Sequence, residues 1–127
     1  MRDRGAILLC LGDLAAFVAF GALGMASHGD PLTAKSVARA IVLFPAAWLL
    51  LAPFLGAYSD DAIDGRTPLT WLALIWVPAG VIALVARAAI FDRALFNAFF
   101  VVALVGYGLF LIAWRAAYSR WVAPVTG

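Results

Sequence analysis

Four stretches of the chain run for about twenty residues with no charged side chain, or with a single one: residues 5–27, 40–59, 67–86 and 94–114. A helix that rises about 1.5 Å per residue needs roughly 20 apolar residues to cross about 30 Å of hydrocarbon. Each run therefore predicts a membrane-spanning helix, with spans at 6–27, 38–58, 68–88 and 94–117. The connections at 28–39, 59–66 and 87–93 are too short to let consecutive helices run parallel, so neighbours must alternate in direction. The expected fold is all-α: an integral membrane four-helix up-down-up-down bundle, one domain over 1–127, with both termini on one side.

Composition agrees. The chain is 66% hydrophobic and 13% charged, with a mean hydropathy of +1.03, well above the roughly 45–50% apolar content of a soluble domain. Arg2 and Arg4 ahead of an apolar run look like the start of a secretory leader. That run is 23 residues long and carries Asp13, however, whereas a leader's apolar region is about 7–15 residues. On the terminal side lie Arg2, Arg4, Arg66, Arg115 and Arg120; on the other lie Lys35, Arg39, Arg87 and Arg93. The excess on the terminal side places the termini in the cytoplasm of a cell membrane. So even a balance also permits insertion in both orientations and antiparallel pairing.

The organising residue is Asp13, the one carboxylate inside an apolar run. Asp13, Ala16, Phe17, Phe20, Gly24 and His28 share a helical stripe. A charge facing lipid costs about 2.5–3.5 kcal/mol on insertion scales, so this stripe is expected to face protein and to find a donor there. Side chains on a helix lean toward its N-terminus. Asp13 on the first helix and Arg115 on the antiparallel fourth thus lean toward each other, and Arg115 is the expected partner, with Tyr107 as the alternative donor. Asn97, Val101, Leu104, Gly108 and Arg115 form an expected inward stripe on the fourth helix. At the other end of the bundle His28, Arg87, Asp92 and Asn97 are expected at one level, either as a polar cap or as a ligand or proton-responsive site.

Pro45 and Pro53 in the second run and Pro78 in the third each remove a backbone donor, leaving the carbonyls of Ile41, Leu49 and Leu74 open and predicting bends. Bends of this kind are either absorbed by packing or open a cavity. Ile41, Pro45, Trp48, Ala52 and Gly56 share a face that would admit the first helix closely at Gly12 and Ala16. Tyr58, Trp71, Phe91, Trp114, Tyr118 and Trp121 fit an interfacial aromatic belt, and Trp48, Trp76 and Tyr107 fit core packing. Residues 59–66 contain three aspartates but lack the frame and closing glutamate of a calcium loop, so they predict a solvated turn.

The inventory argues against catalysis. One histidine cannot ligate a haem from both sides, the lone Cys10 cannot form a redox pair or the usual zinc site, and Ser27, Ser36, Ser59 and Ser119 lie at or beyond helix ends. Asp13 has no second intramembrane carboxylate for an aspartyl dyad. No cofactor, metal or nucleic-acid partner is implied; the expected partners are the lipid bilayer and either a homo-oligomer or a larger membrane complex. The leading expectation is a non-enzymatic accessory, scaffold or assembly component. The alternatives are an oligomeric transporter or channel for a small solute or ion, and a lipid, quinone or carotenoid binder.

The order Gly12-Asp13, Ser27-His28-Gly29, Pro45 to Trp48, Gly56-Ala57-Tyr58, Arg87 with Phe91, and Trp114-Arg115 resembles a family of small four-helix membrane proteins of archaea and bacteria, catalogued as a domain of unknown function. The resemblance covers nearly the whole chain and implies this topology and a prokaryotic membrane, and it implies no activity. Where related chains carry a His-Gly pair after the third helix, this one has Asp92 and Arg93.

Overall fold

A computed structural model describes residues 2–126. Four helices are long and apolar enough to cross a membrane: Asp3–His28, Ala34–Leu55, Leu69–Phe91 and Ala98–Val122. Each packs on its chain neighbours, and the fourth closes on the first, giving a four-membered antiparallel ring. The core inside the ring is aromatic: Phe17, Phe44, Trp48, Trp76 and Tyr107 are buried together, with Phe44 and Tyr107 stacked at 4.2 Å between centroids. Outward-facing positions stay apolar and exposed, among them Leu50, Leu74, Val101 and Leu109, as expected where lipid rather than water is the solvent.

The second helix is irregular near both of its prolines. A π-helical stretch, Ala38–Val42, precedes Pro45, and the Tyr107 hydroxyl donates to the Ala40 carbonyl there. Local π geometry releases carbonyls from the regular ladder, and a side-chain donor then satisfies one of them. At the other end the helix tightens into a 3₁₀ turn, Ala52–Leu55, containing Pro53, and stops at Gly56 with φ 88°. A side chain at that φ would be strained, so the glycine permits the reversal. The second span is therefore three residues shorter than expected at this end, and Gly56 caps the helix rather than lying on its face. Pro78 sits within the third helix, and both it and Pro53 are exposed.

Two expected stripes are corrected. Burial on the first helix passes from Asp13 and Phe17 to Gly21 and Met25, so His28 ends exposed. The apolar seam of a straight helix drifts around its axis, because 3.6 residues per turn does not match a fixed stripe over this length. Gly12 serves the fourth helix rather than the second: a Cβ there would lie 1.9 Å from the Trp114 ring. On the fourth helix, Asn97 and Val101 are exposed.

Residues 59–66 are more than a solvated turn. Ser59 caps a short helix, Asp60–Ile63, by accepting from the Ala62 amide, and Arg66 pairs with Asp61 at 2.8 Å and Asp64 at 3.1 Å. Ala62 and Ile63 are buried against Leu9, Tyr118 and Ala123, and Tyr118 donates to the Ile63 carbonyl at 2.6 Å. This segment plugs the terminal end of the bundle.

Candidate functional site

The reversal at Gly56 determines what surrounds Asp13. Having left the second helix, the chain turns back so that the Ala57 carbonyl and the Tyr58 side chain point into the bundle, where Tyr58 meets Trp48. Asp13 is fully buried and Arg115 is 2% exposed. Arg115 donates from Nε to Asp13 Oδ1 at 2.8 Å and from Nη2 to Oδ2 at 2.7 Å, a side-on bidentate pair, while Nη1 donates to the Ala57 carbonyl at 2.8 Å. Oδ2 also accepts from the Tyr58 hydroxyl and, at 3.1 Å, from Trp48 Nε1, which is 2.9 Å from the Tyr58 oxygen as well. Four donors thus converge on a carboxylate with about four lone-pair sites. Tyr58 lies beyond the second span, and burial together with the Asp13 charge holds its hydroxyl above the ordinary tyrosine pKa, in the donating form. The Tyr58 and Trp48 rings also lie 5.1 and 5.9 Å from the Arg115 guanidinium carbon, within cation–π range.

The network joins the first helix, the end of the second and the fourth. Its members neutralise each other and leave none of their buried polar atoms unpartnered. Chemically it can clamp three segments together, and it holds no spare base or acid. Tyr107, the alternative donor, is directed elsewhere: Phe17, one turn along from Asp13, lies against its ring at 5.8 Å, and its hydroxyl is spent on Ala40. Trp48 and Tyr58 were legible only as packing and belt aromatics. The signal for both was present, since Trp48 is the one side-chain donor on the expected Ile41, Pro45, Trp48, Ala52 and Gly56 face and the Pro53–Gly56 spacing marks a stop before Tyr58.

The opposite end gathers a different set from the one expected. His28 and Arg87 do share a cleft of about 240 Å³, but its other walls are Asp30, Arg39, Arg93 and Phe99. Asp92 is the C-cap of the third helix, at φ 52°, and Asn97 is the N-cap of the fourth, accepting from the Phe100 amide at 3.2 Å. Both are exposed and used on backbone ends, a role that short polar side chains fill wherever helices start or stop. A third feature is an apolar groove of about 330 Å³ behind Tyr58, between the first helix and the 3₁₀ turn at Pro53, with Cys10 in its wall.

The fold and its buried polar network define a small multi-pass helical membrane protein. The family described as protein of unknown function, DUF3054, matches residues 10–118, and the chain belongs to it. That stretch takes in Asp13, Trp48, Tyr58 and Arg115 as well as the whole arginine-lined cleft. No curated protein and no solved structure matches the chain.

Proposed function

We propose that the protein is a non-enzymatic accessory, scaffold or assembly component of a prokaryotic cell membrane. The observation that carries this reading is the saturation of Asp13: the one buried carboxylate among the described residues is committed to Arg115, Trp48 and Tyr58, so it serves to fix helix positions. A proton or cation carrier needs a site that alternates between loaded and empty states, and a carboxylate that must break four hydrogen bonds to empty is poorly suited to that. Both termini are cytoplasmic in this proposal. With Arg115 neutralised inside the bundle the basic residues divide four and four, so the support comes from Arg2 and Arg4 at the start of the first span, which usually dominates insertion.

Proteoliposomes containing a pH-sensitive dye test the reading. Proton flux should match protein-free vesicles and should not change in Asp13→Asn; a flux above background that Asp13→Asn abolishes would replace the scaffold with a transporter. Reporters placed after Gly127 and at Leu32 should label opposite compartments, with the first one cytoplasmic. A second reading, a lipid, quinone or carotenoid binder, draws on the apolar groove at Ala6, Ile7, Cys10, Leu49, Pro53 and Tyr58. Coloured or lipidic material retained by detergent-purified monomer, and lost when Ala6→Phe fills the groove, would favour it.

A further inference from the structure

We propose that the cleft at the end of the bundle opposite the termini is a binding site for an anionic phosphate group. Its walls come from every membrane helix or the connection beside it. His28 closes the first helix and Asp30 follows it; Arg39 lies in the π-helical stretch of the second; Arg87 is in the last turns of the third, with Arg93 just beyond; Phe99 opens the fourth. Three guanidinium groups face one carboxylate, so the cleft carries net positive charge even with His28 neutral.

Arg87 is the residue that the fold leaves least provided for. It shares the cleft with two like charges, Arg39 and Arg93, and with one carboxylate, Asp30. Among the described residues, none of the three arginines makes an ion pair. The Phe99 ring lies 3.8 Å from the Arg87 guanidinium carbon and covers one face of it. Its Nε is buried with no hydrogen-bond partner. A ring can satisfy the face of a guanidinium but not its N–H edge, which needs an acceptor lying in the plane. A phosphate supplies several acceptor oxygens and the negative charge that like-charged neighbours lack, and the guanidinium fork matches it two bonds at a time. The space of about 240 Å³ accommodates such a group with a few waters, each of about 30 Å³ in the liquid.

The cleft lies where the spans end, at the level of lipid headgroups, so the phosphate can belong to an anionic phospholipid or be free in water. Two arms separate these sources. In one, the full chain in nanodiscs of phosphatidylcholine with a minority of phosphatidylglycerol is released into mild detergent, and retained lipid is read by native mass spectrometry. In the other, the chain in phosphatidylcholine nanodiscs is titrated with sodium phosphate against sodium chloride at constant ionic strength, following thermal stability. Selective retention of phosphatidylglycerol identifies a headgroup site; stabilisation specific to phosphate identifies a free-anion site. In whichever arm responds, Arg87→Gln and Arg93→Gln should each weaken binding about tenfold, the loss of roughly one charge-assisted hydrogen bond. Arg93 is exposed at a helix end, so its substitution leaves the packed bundle intact. Asp30→Asn should strengthen binding, because it removes the one opposing charge. No response in either arm, unaltered binding in both arginine variants, or weaker binding in Asp30→Asn would each overturn the site.

Discussion

At the terminal end of the bundle the Arg115 guanidinium has a carboxylate, a carbonyl and two aromatic rings around it; at the other end Arg87 has one ring and two further arginines. Both are arginines near the ends of long apolar helices, and composition alone does not distinguish them. The difference is whether the fold itself pairs the guanidinium with a carboxylate. Where it does, the group is a structural element whose removal strands its partner. Where it does not, the group is held in readiness for something outside the chain, and its removal relieves repulsion instead.

Stability measurements can break this contrast most directly. Asp13→Asn and Arg115→Gln should each cost about 3–5 kcal/mol, with the double variant losing clearly less than the sum. Strictly additive losses in detergent unfolding would show that the pair is not coupled. Gly12→Val comes next: the added methyl groups collide with Trp114, whose indole donates to the Leu9 carbonyl at 3.4 Å, and overpacking of this kind costs about 1–3 kcal/mol. An unchanged unfolding midpoint would mean that the first and fourth helices are not in contact at Gly12. Tyr58→Phe should also cost about 1–3 kcal/mol by taking one donor from the buried carboxylate. In an Asp13→Asn background the same change should cost much less, and an equal cost in both would assign Tyr58 a packing role alone. The smallest effect belongs to the other end. Arg87→Gln without added phosphate should move stability by no more than about 0.5 kcal/mol, and a loss comparable to Arg115→Gln would erase the distinction between the two ends.

The helices were legible because apolar length is a one-dimensional signal: the span boundaries expected from uncharged runs fall within a few residues of the observed ones. The Asp13–Arg115 meeting could also be read, since helix direction, side-chain lean and the scarcity of intramembrane donors leave few choices. What escaped were features that depend on where a helix stops. Tyr58 reaches Asp13 only because Gly56 turns the chain back, and Ile63 becomes a buried plug only because that turn carries residues 59–66 beneath Tyr118. At the far end Asp92 and Asn97 are polar residues at the expected level, yet each is used by the nearest helix terminus. Depth along the membrane normal can be counted from sequence, but rotation about it at a helix end cannot.

The position of the donors along the chain also bears on how the protein enters a membrane during synthesis. Asp13 is made first, and its arginine partner follows 102 residues later. Trp48 and Tyr58 follow after only 35 and 45 residues, at the close of the first helical hairpin. A nascent chain holding just two helices therefore already contains two uncharged hydrogen-bond donors for Asp13, well before the guanidinium arrives. Insertion of a chain truncated before residue 69 should accordingly depend on Trp48 and Tyr58, and a truncated Trp48→Phe, Tyr58→Phe variant that inserts as well as its parent would refute that dependence. Pairing of Asp13 with Arg115 is then a late event that locks the ring shut, so the last helix to be made is the one that commits the first.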